Sequence, residues 1–205
     1  MSDFLAALAM GLGLIMAIGP QNAFVIRQGL WREHALLAAL VCALSDTALM
    51  TLGVLGAGRL LATRPELVTL GTLAGAAFLL WYGAQALRSA RHPQPPELGS
   101  QRVAGPLAVA ARGAAFSMLN PHALLDTLVL VGGASASAAR PELFLAGVVA
   151  ASWVWFFGLA IAARGLAGQM RSVRTWQAVD LLVGLMMWAV AARLLLGLLA
   201  APGSH

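Results

Sequence analysis

Six long, continuous apolar runs leave this chain little choice of solvent. They extend over about Phe4 to Ile26, Ala35 to Gly56, Leu67 to Leu87, Gly113 to Leu130, Leu143 to Ala163 and Val179 to Leu199. Each is close to the roughly 20 residues that an α-helix needs to cross a hydrocarbon core about 30 Å thick. With 60% of 205 residues apolar and 10% charged, too little polar surface remains to dissolve a domain of this size in water. A β-barrel would alternate polar and apolar residues in stretches of about ten, whereas these runs are unbroken and rich in Ala, Leu and Gly. The expected fold is therefore an all-α polytopic membrane protein of six transmembrane helices.

The sequence pI near 11.3 raises nucleic acid as a partner, but all thirteen cationic residues are arginines scattered among loops, which argues against a binding patch. Topology accounts for them better. Arg27, Arg32, Arg88, Arg91, Arg102, Arg112, Arg164, Arg171 and Arg174 fall in loops one, three and five, against Arg59, Arg64 and Arg140 in loops two and four. The positive-inside rule makes the first set cytoplasmic and puts both termini outside; a five-span form with the amino terminus inside is the alternative. The first run has no basic leader and no obvious cleavage site, so it is expected to be retained as a helix. Cys42 has no second cysteine to pair with and reads as a packing residue.

The third loop contains His92-Pro93-Gln94-Pro95-Pro96-Glu97, a polar, proline-rich stretch that reads as a linker. It divides one transmembrane domain into a half over 1–88, a cytoplasmic linker over 89–112 and a half over 113–205. Trp81 and Ala84 recur as Trp188 and Ala191, and Ser45 recurs as Ser152, all 107 positions apart, while Pro20 and Pro121 differ by 101. Three spans per half would send the second half through the membrane in the opposite sense, giving a 3+3 inverted repeat of the kind secondary transporters use.

Two motifs carry the chemistry. Gly19-Pro20-Gln21-Asn22 lies in the first run and Asn120-Pro121-His122 in the fourth. Proline removes a backbone donor and frees a carbonyl, and in lipid such groups must be satisfied by protein or by a watery cavity. One proline could be a plain kink. Two at matching places, beside amide side chains, predict helices one and four broken at Pro20 and Pro121, with Gly19, Gln21, Asn22 and Asn120 lining a site. His122 is either a titratable group or a neutral member of the network.

Asp46 and Asp126 each stand inside an apolar run, where a carboxylate costs about 2.5–3.5 kcal/mol to insert. They are candidates for binding a cation or carrying a coupling proton; an ion pair with a neighbouring arginine, Arg88 or Arg193, is the competing reading. Asp126 follows Asn120 by six residues, about 120° around an unbroken helix, and the Pro121 break would relax that. Asp180 reads as interfacial. Trp153, Trp155, Phe156 and Phe157 read as packing, or as a platform for a cationic substrate. The pairs Gly71 with Gly75 and Gly53 with Ala57 would let helices approach closely and permit a homodimer. No metal-ligand spacing of His, Cys and carboxylates is present, and no cofactor is implied.

The run Gly19-Pro20-Gln21-Asn22-Ala23-Phe24-Val25, continuing to Arg27-Gln28-Gly29, together with Leu119-Asn120-Pro121-His122-Ala123 and Leu125-Asp126-Thr127, resembles the LysE/ArgO family of basic amino acid exporters. That resemblance covers nearly the whole chain. It implies export of L-arginine, L-lysine or their analogues across the bacterial inner membrane, driven by protons or the membrane potential, and no enzymatic activity. The related threonine and homoserine exporters share the early Gly-Pro, so a neutral amino acid, or a cation, is the alternative cargo. An intramembrane aspartyl protease would also need two buried aspartates, but its Gly-Asp and Tyr-Asp contexts are missing. A channel or scaffold would lack saturable, energy-dependent efflux.

Overall fold

The computed structural model describes residues 2–16, 19–56, 65–91, 105–119, 126–136, 138–168 and 173–200. These residues are helical throughout, in the order α1 (Ser2–Ile15), α2 (Pro20–Leu30), α3 (Ala35–Val54), α4 (Pro65–Arg91), α5 (Pro106–Met118), a π-helix (Asp126–Val131), α6 (Gly132–Ala136), α7 (Pro141–Leu166) and α8 (Val173–Ala200). Proline opens α2, α4, α5 and α7. At a first helical position its missing N–H costs nothing and its fixed φ already suits the helix.

Four helices are long and apolar enough to cross a membrane, at 35–54, 69–91, 141–166 and 177–199. The first run forms a bent pair, α1 and α2 at 79° to each other, which makes a fifth if the two count as one span. The break predicted at Pro20 is thus a change of direction: α1 ends at Ile15, Gly19 is extended, and Pro20 starts a new helix. The fourth run is described only by its flanks, α5 and the π-helix with α6, so a sixth span and a break at Pro121 lie across residues outside those described. The linker over 92–104 lies outside them as well.

Close approach at small residues holds the bundle, as expected where lipid removes any hydrophobic drive between helices. Gly11 of α1 sits on Val148 and Ala151 of α7, and Gly147 of α7 sits on Phe4 and Ala7 of α1. Gly29 of α2 meets Ala160 and Ala163 of α7, while Gly132 of α6 meets Gly53 of α3. Gly83 of α4 meets Gly184 and Trp188 of α8, and the Trp188 indole donates to the Leu80 carbonyl at 3.2 Å. The expectation for Gly53 is met. Gly71, by contrast, has nothing within 4 Å, and Ala57 is outside the described residues.

At one end of the α1/α7 seam the Arg140 backbone N–H donates to the Asp3 carboxylate at 2.9 Å, a negative charge where the α7 dipole favours one. Between α2 and α3 the chain reverses through left-handed residues, Arg32 at φ 55° and His34 at φ 44°. The Arg32 and Glu33 N–H groups donate back to the Gly29 and Gln28 carbonyls, closing α2 with a Schellman-type turn. That turn aims α3 back along α2.

Candidate functional site

Asp46 lies in the middle of α3, half-buried, and faces the first turn of α2. Gln21 Nε2 donates to its Oδ1 at 3.1 Å, and Ser152 Oγ of α7 donates to its Oδ2 at 3.0 Å. Gln21 Nε2 also donates to Ser117 Oγ of α5 at 2.9 Å, and the Ser117 hydroxyl in turn donates to the Gly113 carbonyl at 3.1 Å. Side chains of α2 and α7 therefore meet on the carboxylate carried by α3, and α5 joins through Gln21. Among the described residues the carboxylate's partners are an amide and a hydroxyl, not an arginine, so the ion-pair reading of Asp46 is not supported. Arg88 and Arg193 are both exposed.

Asn22 is buried and serves the break itself. Its Nδ2 donates at 2.8 Å to the carbonyl of Ile15, the last residue of α1, and its Oδ1 accepts from Trp155 Nε1 at 3.1 Å. Trp153 Nε1 donates at 3.0 Å to Thr47 Oγ1, one residue beyond Asp46, and that hydroxyl donates to the Ala43 carbonyl at 2.7 Å. The two tryptophans thus pin the break and α3 from α7. Trp153 also stacks on Phe157 at 5.7 Å between ring centroids, and Phe156 is fully buried, so packing describes those two rings.

Replacing Trp155 with Phe keeps an aromatic ring but gives up the five-membered ring of the indole and with it one neutral hydrogen bond, worth about 1 kcal/mol. Transport should fall about fivefold at unchanged protein level, measured as initial efflux rate against immunoblot signal. Val154, turned outward and 65% exposed, provides the control: Val154→Leu should leave the rate unchanged.

Of the residues expected from the sequence, Gly19, Pro20, Gln21, Asn22 and Asp46 come together. Asn120, Pro121 and His122 lie outside the described residues; the backbone of Asp126 opens the π-helix, and its side chain is not among those described. π-Helical turns concentrate at functional sites, and this one packs against α3 around Gly53. Ser117 and Ser152 join the network without having been singled out as ligands, and Trp153 and Trp155, read as packing or as a platform for a cationic substrate, join it through their indole N–H groups. A hydroxyl that can bond its own helix is silent in hydropathy, and an indole N–H shows its use only when the facing helix is known.

Two expectations need correction. Asp180, which the sequence left without a role, has one: it is 3% exposed on α8, and its Oδ1 lies 3.0 Å from Arg27 Nε. Arg27 is not a loop residue. It belongs to the last turns of α2, donates to the Tyr82 hydroxyl at 3.1 Å, and lies over the Trp31 ring at 5.2 Å and the Tyr82 ring at 5.8 Å. Mutual neutralisation lets both charges sit inside. Removing Arg27 from the loop count leaves eight arginines on one side against three, so the asymmetry keeps its sign. Among the described residues no group of three or more His, Cys, Asp or Glu could hold a metal ion.

The model of the LysE type translocator family matches residues 12–198. The chain is 41% identical over 197 residues to proteins named arginine exporter protein ArgO from Salmonella schwarzengrund and Salmonella paratyphi C, covering 94% of this chain and 93% of each relative. A protein of the same name from Salmonella paratyphi A matches to the same extent. No solved structure matches the chain significantly.

Proposed function

The chain belongs to the LysE type translocator family, and from that premise we propose that it exports L-arginine, and L-lysine as a second cargo, across the bacterial inner membrane by alternating access. The carboxylate of Asp46 carries this reading. It lies in the middle of a helix long and apolar enough to span a membrane and is held by two neutral donors, with no arginine paired to it among the described residues, which suits it to a cation brought from outside the chain. The cargo's guanidinium or ammonium would bind there. Its α-carboxylate would face the start of α2, where the helix dipole favours an anion. Asp126, Asn120 and His122 would complete the site from the other half, and Asp46 or Asp126 would carry the coupling proton if the proton gradient drives export.

The packing supports an inverted repeat of three and three spans. Gly53 and Ala160 are 107 positions apart, like Ser45 and Ser152. Each receives a glycine from just beyond the first apolar run of the opposite half, Gly132 onto Gly53 and Gly29 onto Ala160. Exchange of this kind is what a two-fold axis between halves produces. Six spans with both termini outside follow from that repeat together with the arginine count.

Cells loaded with dipeptides that release arginine, lysine or threonine provide the test. Expression should raise arginine efflux about tenfold over cells without the protein, with lysine following and threonine unchanged, and an uncoupler should abolish the gain. Efflux of threonine alone would overturn the cargo assignment.

A further inference from the structure

The α4/α8 pair is bound tightly to itself, at Gly83, Gly184 and Trp188, and meets the rest of the described bundle chiefly along α2. That seam holds an aromatic cluster and an ion pair side by side. Phe24 of α2, Phe78 and Tyr82 of α4 and Phe116 of α5 form an aromatic cluster with centroids 4.7 to 6.5 Å apart, and beside it the Arg27 guanidinium reaches Asp180 of α8 and the Tyr82 hydroxyl.

We propose that Arg27, Asp180 and Tyr82 form a latch between α2 and the α4/α8 pair that opens and closes once in each transport cycle, making Arg27 and Asp180 positioning residues for the Asp46 site. The inference rests on the reading of the chain as an alternating-access exporter. Stability alone does not explain the pair, because a well-packed apolar pair of similar volume in such a place is often neutral or stabilising. Its geometry is that of a contact made to be exchanged. Arg27 Nε and Asp180 Oδ1 approach to 3.0 Å without hydrogen-bond directionality, and the guanidinium divides its remaining contacts between a hydroxyl and two ring faces.

The link to the site is α2 itself. Gln21 holds Asp46 from its first turn and Arg27 holds Asp180 from its last turns. Six residues separate them, about 9 Å along the axis and 120° around it, on an uninterrupted helix. A short rigid segment tied at one end to the site and at the other to the neighbouring helix pair cannot tilt at one without moving the other. Cargo binding at Asp46, by drawing on Gln21, would therefore load the latch.

Two variants test this. In the Arg27→Met/Asp180→Leu protein the seam is closed by apolar packing, and the protein should accumulate at wild-type level while arginine efflux falls at least about tenfold with binding of arginine retained. In the Cys42→Ser background, Arg27→Cys/Asp180→Cys bridged by a short bis-methanethiosulfonate should bind arginine, lose efflux to a similar extent and regain it on reduction. Normal efflux from either the apolar or the bridged protein would overturn the latch, as would loss of arginine binding together with efflux. If the apolar pair does not accumulate, the bridged protein decides alone. Wild-type protein in the same assay separates the two readings: no arginine efflux there removes the proposed function, whereas normal wild-type efflux with an indifferent bridge removes only the latch.

Discussion

Asp46→Asn protein is expected to reach the membrane at wild-type level and to export arginine roughly 60- to 300-fold more slowly. The asparagine has nearly the same shape and can still accept from either Gln21 or Ser152, but not from both, since one of its terminal atoms is now a donor. Losing one such bond perturbs the fold modestly. What disappears is the counter-charge for a cation at membrane depth, where an uncompensated charge costs about 2.5–3.5 kcal/mol. At about 1.4 kcal/mol per tenfold, that range gives the stated loss. Efflux from cells preloaded with an arginine dipeptide, normalised to immunoblot signal, is the measurement. A rate above half of wild type would show that Asp46 does not bind the cargo. Asp126→Asn is expected to behave in the same way, and Asp46→Glu to recover part of the activity, because the charge returns one methylene out of place.

Gly132→Val should remove the folded protein, leaving less than about a tenth of wild-type material in the monodisperse, detergent-solubilised fraction. A Cβ at Gly132 would run into the carbonyl oxygen of Gly53, and that oxygen belongs to helical backbone with no freedom to swing aside. Gly53 is confined reciprocally, with the Thr127 carbonyl 3.1 Å and the Leu128 Cα 3.2 Å from where its own Cβ would be. Even one added methylene in a packed interior costs about 1–3 kcal/mol when side chains can adjust. Here three carbons press on backbone and α3 must part from α6. The neighbouring Gly133 has nothing within 4 Å, so Gly133→Val should be recovered normally. Equal recovery of the two variants on a fluorescence-detected size-exclusion profile would show that the approach of α6 to α3 is not required.

Much of the site was legible because lipid makes polarity conspicuous. Gln21, Asn22 and Asp46 are costly residues in apolar runs, and all three make the contacts that justify the cost. Pro20 was legible for the same reason, although its effect is larger than a kink: it opens a separate helix across an extended Gly19. Arg27 was misread because hydropathy ends a run at the first charge, and Asp180 was given no role because it stands one residue inside the edge of its run. The helices do not end there. α2 continues through Arg27 to Leu30, and α8 begins at Val173, well before Asp180, because each charge neutralises the other across the seam. Gly29, Gly83 and Gly184 look like any other glycine until the facing helix is in place. The spacing of Gly71 and Gly75, which looked like a packing stripe, meets open space at Gly71.

The splint across the first break has a consequence for how the chain is made. The Ile15 carbonyl is satisfied by Asn22, Asn22 is held by Trp155, and Asp3 is held by Arg140, so the first span finds its partners 133 and 137 residues later in the chain. At about 5–20 residues per second, ribosomes need on the order of 10 s to deliver them. During that interval the first span must remain at the insertion machinery or cross as a straighter helix, because lipid offers no substitute for the indole donor that holds Asn22. The bend at Gly19 is thus completed late, by α7, and a chain truncated before Trp155 should enter the membrane without it.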